Sequence, residues 1–499
     1  SNTAVGASSM SANVNGADNT AIGFNTLATN ISGSSNVAIG NNTLALATGV
    51  NNTAVGSNAG PIISTGTLNT ICGQGAMFLS TSGTQCVAIG AQALQTQNTG
   101  SQNTAVGYQS LNALTTGTLN TAIGIQTNLL LTVGQLNTTV GHQAGGSGSN
   151  NTAIGALSLP GTGSQNTAVG YQAAGSNSSG TSLTAVGYRA LQSMSTNSFC
   201  TAVGWNSLFS CTGANNTAVG SSAGAGISTG GTNTAVGSSA MPIASTGSQN
   251  VAIGASALLS LTTGSSNTAV GEHALQSITT TSGNVAVGVN ALFTASVANL
   301  TAVGFQALQT NSSGTQNVAV GYQALFTNAT GANCTAVGYQ ALQTNTVSGN
   351  TAVGNQAGTA VSTGTNNTLI GAGAGILMST GGSNVAVGNG AMAVVTTVGG
   401  LTAVGTSALA VNSSGTANTA VGFQALATIS TAANCTAVGS TALTLNTGLG
   451  NTAVGAAALS TNSSGINNVA IGTSALNANT TTSSCTAVYG RCDSIDVVS

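Results

Sequence analysis

Apolar and polar residues alternate along the chain in one short phrase. Two clear copies are Asn-Val-Ala-Val-Gly at 317–321 and Cys-Thr-Ala-Val-Gly at 334–338. The phrase, with variants, occurs thirty times. Its glycine usually recurs at every seventeenth position, as Gly304, Gly321 and Gly338 do, and sometimes at every sixteenth. The step shortens to fourteen and fifteen only around Gly155 and Gly170. With the glycine as position zero, −1 is Val or Ile in 29 copies, Cys72 being the exception. Position −2 is Ala in 27, the exceptions being Ile71, Thr139 and Leu369; position −3 is Thr in 23 and Val in seven. Position −4 is Asn in 22 copies, Cys in five (Cys86, Cys200, Cys334, Cys435, Cys485) and Leu in three (Leu183, Leu300, Leu401). The β-branched residues at −3 and −1 suit a strand. Leu or Met most often follows at +4, as in Leu325 and Leu342, and then a Thr-Gly or Ser-Ser-Gly stretch that reads as a turn.

A strand, a short second segment and a turn, repeated with so short a period, make one coil of a parallel β-solenoid. Helical hairpin repeats need about 33 residues or more, and glycine recurs here too often for helix. The sequence therefore predicts an all-β fold of about thirty coils. At about 4.8 Å per layer they would stack into a rod of roughly 140 Å. One repeat domain is expected over 1–490, with 491–499 as a tail or cap.

Alternation along a strand sorts the positions into two faces. With Thr335 or Val318 at −3 and Val320 or Val337 at −1 turned inward, Ala319 and Ala336 at −2 face out. A bare Ala/Gly surface then lets another chain approach, and Ala319, Ala336, Tyr322 and Tyr339 become candidates for chain–chain contact. Asn317 and Cys334 at −4 are expected inside, because Cys and Leu are poor choices for a wet corner. Stacked Asn would form a ladder there, with Gly321 and Gly338 ending each strand. The rival assignment turns −4, −2 and 0 inward and leaves Thr and Val outside.

Composition narrows the function. Of 499 residues, 71 are glycine, 41% are apolar and 1% are charged, against roughly 25% charged in a typical soluble protein. With two Arg and no Lys, nothing could neutralise a row of phosphates, so nucleic acid is not expected as a partner. No apolar run approaches the roughly 18 residues of a membrane span, and no signal peptide is visible.

The Asn-Val-Ala-Ile-Gly phrases at 36–40, 250–254 and 468–472, with their Asn-Thr-Ala-Val-Gly variants, resemble the YadA-like head repeat of trimeric autotransporter adhesins. Similar repeats occur in fibre proteins of phages and large viruses. The resemblance covers Asn2 to Gly490. It implies a left-handed parallel β-roll with three chains around a common axis. The family repeat is commonly shorter, near fourteen, a step found here only between Gly141 and Gly155. The extra residues are expected to enlarge the outer loop. No coiled-coil stalk or membrane anchor is visible, so a fibre module or filament subunit fits better than a bacterial surface anchor.

Candidate chemistry is sparse. His142 and His273 are far apart, Glu272 should point away from His273, and no metal-ligand cluster or cofactor motif is present. No enzymatic activity and no cofactor are expected. Among eight cysteines, the pairs close in sequence are Cys200 with Cys211 and Cys485 with Cys492, both candidate disulfides if the chain is extracellular. Sequons at Asn30, Asn177, Asn311, Asn328, Asn412 and Asn462 lie in stretches read as outer turns. They would be open to glycosylation in a eukaryotic secretory route, although a chain so rich in Asn, Ser and Thr produces such triplets by repetition. The tail carries Arg491, Asp493 and Asp496. With an ordinary repeat at the other end, this suggests head-to-tail contact.

The expected role is an extracellular structural fibre, a cell-surface appendage or virion fibre whose partner is its own trimer. An adhesin gripping glycans or a host receptor through its outer loops is the alternative. Ice binding is a lesser one, since it requires the Thr column at −3 to face solvent.

Overall fold

The computed structural model describes residues 1–243 and 245–488. The chain forms two compact units, Ser1–Gln249 and Asn250–Ser499. The repeat phrase runs across that division unchanged, so the domain expected over 1–490 is uniform in sequence while its fold gathers into two bodies.

Each copy of the phrase forms a three-residue strand. Among the described residues, the first unit carries fifteen, from Thr3–Val5 to Thr234–Val236; the second carries fifteen more, from Val251–Ile253 to Thr486–Val488. Successive strands pair in parallel with like residue on like. Examples are Thr104 on Thr121 in the first unit, and Val318 on Thr335, Ala319 on Ala336 and Val320 on Val337 in the second. The second unit adds a four-stranded ladder from Val394–Val395, Val411–Asn412, Thr428–Ile429 and Leu445–Asn446. The fold is thus the expected all-β parallel solenoid, and paired positions such as Ala319 and Ala336 stand one sequence period apart.

Backbone bonds between coils hold the stack together. In the central coils of the second unit, the Gly338 amide donates to Val320 O (2.8 Å), that of Gln340 to Tyr322 O (2.8 Å) and that of Leu342 to Ala357 O (3.0 Å). Each coil turns its corners with left-handed residues at −5, +2 and +4, such as Gln316 (φ 59°), Gln323 (φ 52°) and Leu325 (φ 51°). A left-handed leucine is unfavourable by roughly 1–2 kcal/mol. Burying Leu325 completely contributes about 1.5–3 kcal/mol, which offsets it.

The two strand faces are the reverse of the expected assignment and match the rival one. Ala319 and Ala336 are fully buried, as are Asn317 and Cys334. Val318 is exposed, and Val320, Thr335 and Val337 are only partly covered. Ala319 and Ala336 are therefore core residues and not chain–chain contacts, whereas the valines lie outside the core. Volume explains this. The narrow coil is filled from the other side by Leu325 and Leu342, both fully buried, which leaves room for a methyl group at −2 but not for an isobutyl or isopropyl group.

The three exceptions at −2 show the same space shared differently. A Cβ on Gly60 would come within 2.9 Å of Ile71 Cδ1, and one on Gly145 within 2.6 Å of Thr139 Cγ2. One on Gly358 would come within 2.6 Å of Leu369 Cδ1, and one on Gly375 within 2.9 Å of its Cδ2. All four glycines stand at +4. Where −2 grows, at least one of the two adjacent +4 positions is glycine; Leu369 has glycine at both, whereas Ile71 keeps Met77 and Thr139 keeps Asn128 on the other side.

The residues beyond the shortest coil length do not only enlarge an outer loop. They add an inward position at +7, occupied by buried Asn30, Asn177 and Asn328 among others. The short coil after Gly141 passes from Gly145 to Gly148 without it.

Candidate assembly face

Inside the coil, the column at −4 is an amide ladder. The Asn36 backbone N–H donates to Asn19 Oδ1 (2.9 Å), and Asn19 Nδ2 donates to Gly33 O (2.9 Å). Each side chain thus binds the next coil's backbone and a neighbouring turn. Cysteine fits the same place. The Cys334 N–H donates to Asn317 Oδ1 (2.9 Å), and its thiol donates to Val347 O (3.1 Å), where Asn317 Nδ2 uses Gly331 O (2.7 Å). Asn and Cys each supply a small buried group that can donate to one carbonyl, whereas Leu183, Leu300 and Leu401 fill the same place by apolar contact alone.

The +7 position faces −4 across the coil. Asn328 Nδ2 donates to Gly331 O (2.9 Å) and its Oδ1 accepts from the Gly331 N–H (3.1 Å). Asn177 closes the same two contacts with Gly180. Asn30, Asn177, Asn311, Asn328, Asn412 and Asn462 are all buried, so the expectation that these sequons sit on outer turns is corrected. The turn is outside, but its asparagine points in and holds it. A glycan on any of them has no room in the folded coil.

The outer face of the main sheet is set by what is left. Columns of Thr or Val at −3 and Val or Ile at −1 face outward. Ile22, Ile39 and Ile89 are exposed in the first unit, and Val303, Val353 and Ile471 in the second. The only cysteine in this column, Cys72, is exposed, whereas Cys86, Cys200, Cys211, Cys334, Cys435 and Cys485 are buried.

Beside these columns stand the +1 aromatics and the +2 amides. Phe305, Tyr322 and Tyr339 stack in sequence, with ring centroids 5.4 and 5.2 Å apart and planes within 11°. Tyr171 stacks on Tyr188 at 5.5 Å, and the Arg189 guanidinium lies 5.1 Å from the Tyr188 ring centre. Tyr322 and Tyr339, expected at a chain–chain contact, are 42% and 45% exposed at the edge of this face. Amide ladders run alongside. Gln109 Nε2 donates to Gln92 Oε1 (2.8 Å) and Gln126 Nε2 to Gln109 Oε1 (3.1 Å). Gln323 Nε2 donates to Gln306 Oε1 (2.8 Å).

Other candidates resolve less. Glu272 and His273 do not point apart: Oε1 and Nε2 are 3.5 Å apart, because they lie in the turn after the strand and not within it. Cys200 and Cys211 are free thiols, and both sulfurs reach the same carbonyl, Gly213 O, at 3.3 Å. Cys492, Arg491, Asp493 and Asp496, and with them the Cys485–Cys492 pairing, lie outside the described residues.

A scan against protein-family models gives no match for this chain, and a search of curated proteins gives none either.

Proposed function

We propose that this chain is a structural fibre subunit whose copies, three around a common axis, meet through the outward Val/Ile columns. The observation that carries the reading is the column itself. Monomeric proteins rarely leave contiguous apolar patches larger than about 300–600 Å² open to water. Here β-branched residues recur at every coil with almost no charge to interrupt them. The parallel in-register stack gives every coil the same outward side chains, so a surface that pairs once can pair along a whole unit. This replaces the Ala/Gly side as the meeting surface. The resemblance of the phrase to the YadA-like head repeat supports the same reading, and a mechanical role in spacing, display or adhesion outside the cell follows from it.

The test is the mass in solution. Sedimentation or light scattering should give three times the 47.4 kDa of the chain. Val320→Lys with Val337→Lys should lower it to a single chain while leaving the β-sheet circular dichroism unchanged. Native Cys72 is a second probe. A maleimide should modify it in the dissociated variant and be excluded at least tenfold in the assembly. A wild-type mass of one chain ends the proposal.

One observation favours ice binding as a second reading: the Thr column faces outward. In the first unit it is unbroken from Thr104 to Thr234, with Thr104 on Thr121, Thr121 on Thr138 and Thr217 on Thr234 in register. The two uses exclude each other on one face, since a covered column cannot meet ice. Thermal hysteresis from a monomeric species would favour the second reading, and none would remove it. The glycan alternative gains less. Sugars stack on open ring faces, and both faces of Tyr322 are taken up by Phe305 and Tyr339.

A further inference from the structure

The −4 and +7 positions, eleven residues apart, meet inside the coils of Cys86, Cys334 and Cys435. At three of the −4 cysteines, +7 is an amide that donates to the sulfur. Gln97 Nε2 donates to Cys86 Sγ (3.1 Å), Asn345 Nδ2 to Cys334 Sγ (3.4 Å) and Asn446 Nδ2 to Cys435 Sγ (3.3 Å). In the coil of Gly204, +7 is itself a cysteine. Cys200 and Cys211 both reach Gly213 O, each at 3.3 Å, and both are fully buried.

We propose that Cys200 and Cys211 are an oxidation site, forming a disulfide that staples this one coil across its interior while Cys86, Cys334 and Cys435 stay reduced. Three coils with amide partners show −4 and +7 converging inside the coil, and here the two sulfurs converge on one carbonyl, Gly213 O. The remaining −4 cysteines cannot bond one another, because they stand several coils apart.

The chemistry balances with a small-molecule disulfide, RSSR, as oxidant. The Cys200 thiolate attacks one sulfur of RSSR, forming a mixed disulfide and releasing RS⁻. Cys211 then loses its proton, and its thiolate attacks Cys200 Sγ and expels the second RS⁻. Two cysteine thiols are oxidised and RSSR is reduced to two RSH, which take up the two protons. Burial places the reaction during folding, before the coil closes.

In the closed coil the two thiols differ in their surroundings. The hydrogen bond from Cys211 holds the Cys200 thiol below its ordinary value, whereas that same bond and burial push Cys211 up. Burial also pushes up Cys86, Cys334 and Cys435. Thiolate is the attacking form.

The test is made on the full chain, produced once in an oxidising secretory compartment and once in a reducing cytosol. Each product is denatured in excess alkylating agent and peptide-mapped by mass spectrometry. From the oxidising compartment, most molecules should carry Cys200 linked to Cys211, with the loss of two hydrogens, and Cys86, Cys334 and Cys435 should be alkylated. The cytosolic product should be alkylated at all five. Cys211→Asn copies the Cys334–Asn345 arrangement; it should fold and leave Cys200 alkylated in both preparations. Hydrogen exchange across 200–216 should be at least tenfold slower in the linked form. Alkylation of Cys200 and Cys211 to the same extent as Cys86 in the oxidised product, or linkage of Cys200 to another cysteine, overturns the proposal.

Discussion

Gly321→Ala is expected to disrupt its coil and the next, at a cost above about 3 kcal/mol. Two penalties coincide at this position. The backbone sits at φ 132°, a conformation that residues with a Cβ rarely adopt. The added Cβ would also lie 2.3 Å from Gly338 O and 2.7 Å from its carbon. That oxygen belongs to the backbone of the next coil, so no side chain can move aside. Relief requires the coils to separate and lose bonds such as Gly338 N–H to Val320 O. In a repeat stack stability is the sum of units and nearest-neighbour interfaces. The damage should therefore appear as a local opening, read by hydrogen exchange in 316–342. Gly373→Ala supplies the comparison: φ is 65° there, and an added Cβ meets nothing within 4 Å. Its cost should stay near the roughly 1–2 kcal/mol of a left-handed residue alone. Equal protection losses in the two variants would contradict the argument.

The period, the short strand and the inward −4 position were legible because each rests on a local property: recurrence, β-branching, and the unsuitability of Cys and Leu for a wet corner. Which strand face lies inside was not, because alternation is unchanged when a strand is turned over. The usual preference for burying Val and Ile then pointed the wrong way. It fails here because the coil is too thin to hold a large residue on both sides, and Leu325 already occupies the space opposite Ala319. Asn328 misled for a related reason. Its Asn-Ala-Thr-Gly context reads as an outer turn, which it is. In so narrow a coil, however, the turn's orphan N–H and C=O are satisfied from inside, by that asparagine. Closeness in sequence offered Cys200 and Cys211 only as a candidate disulfide, and in the structure both are free thiols on one carbonyl. The geometry that explains it, −4 facing +7, needed the three amide-partnered coils.

A sequence signal for the correct face did exist, and it leads to the second large effect. Leu369→Ala is expected to lose about 2–5 kcal/mol, the range for a buried leucine truncated to alanine. It is expected to do so although Ala is the ordinary residue at −2. The reason is that Gly358 and Gly375 have given up the side chains that elsewhere fill the space opposite. Ile71 with Gly60 and Thr139 with Gly145 are the same exchange, and such an exchange makes sense only if −2 and +4 share one interior. Adding Gly358→Leu to Leu369→Ala restores the ordinary pairing on one side. Gly358 already has the conformation required, φ 61° against 51° at Leu325. This double variant should recover about half the loss, and Gly375→Leu most of the remainder, because contacting residues do not contribute additively. Gly358→Leu alone, with Leu369 kept, should instead overpack the coil and cost about 1–3 kcal/mol. Urea unfolding of the wild type, the two single variants and the double variant forms a closed cycle. If Gly358→Leu is equally harmful beside Leu369 and beside an alanine in its place, the two positions do not share a cavity, and the inward placement of −2 is wrong.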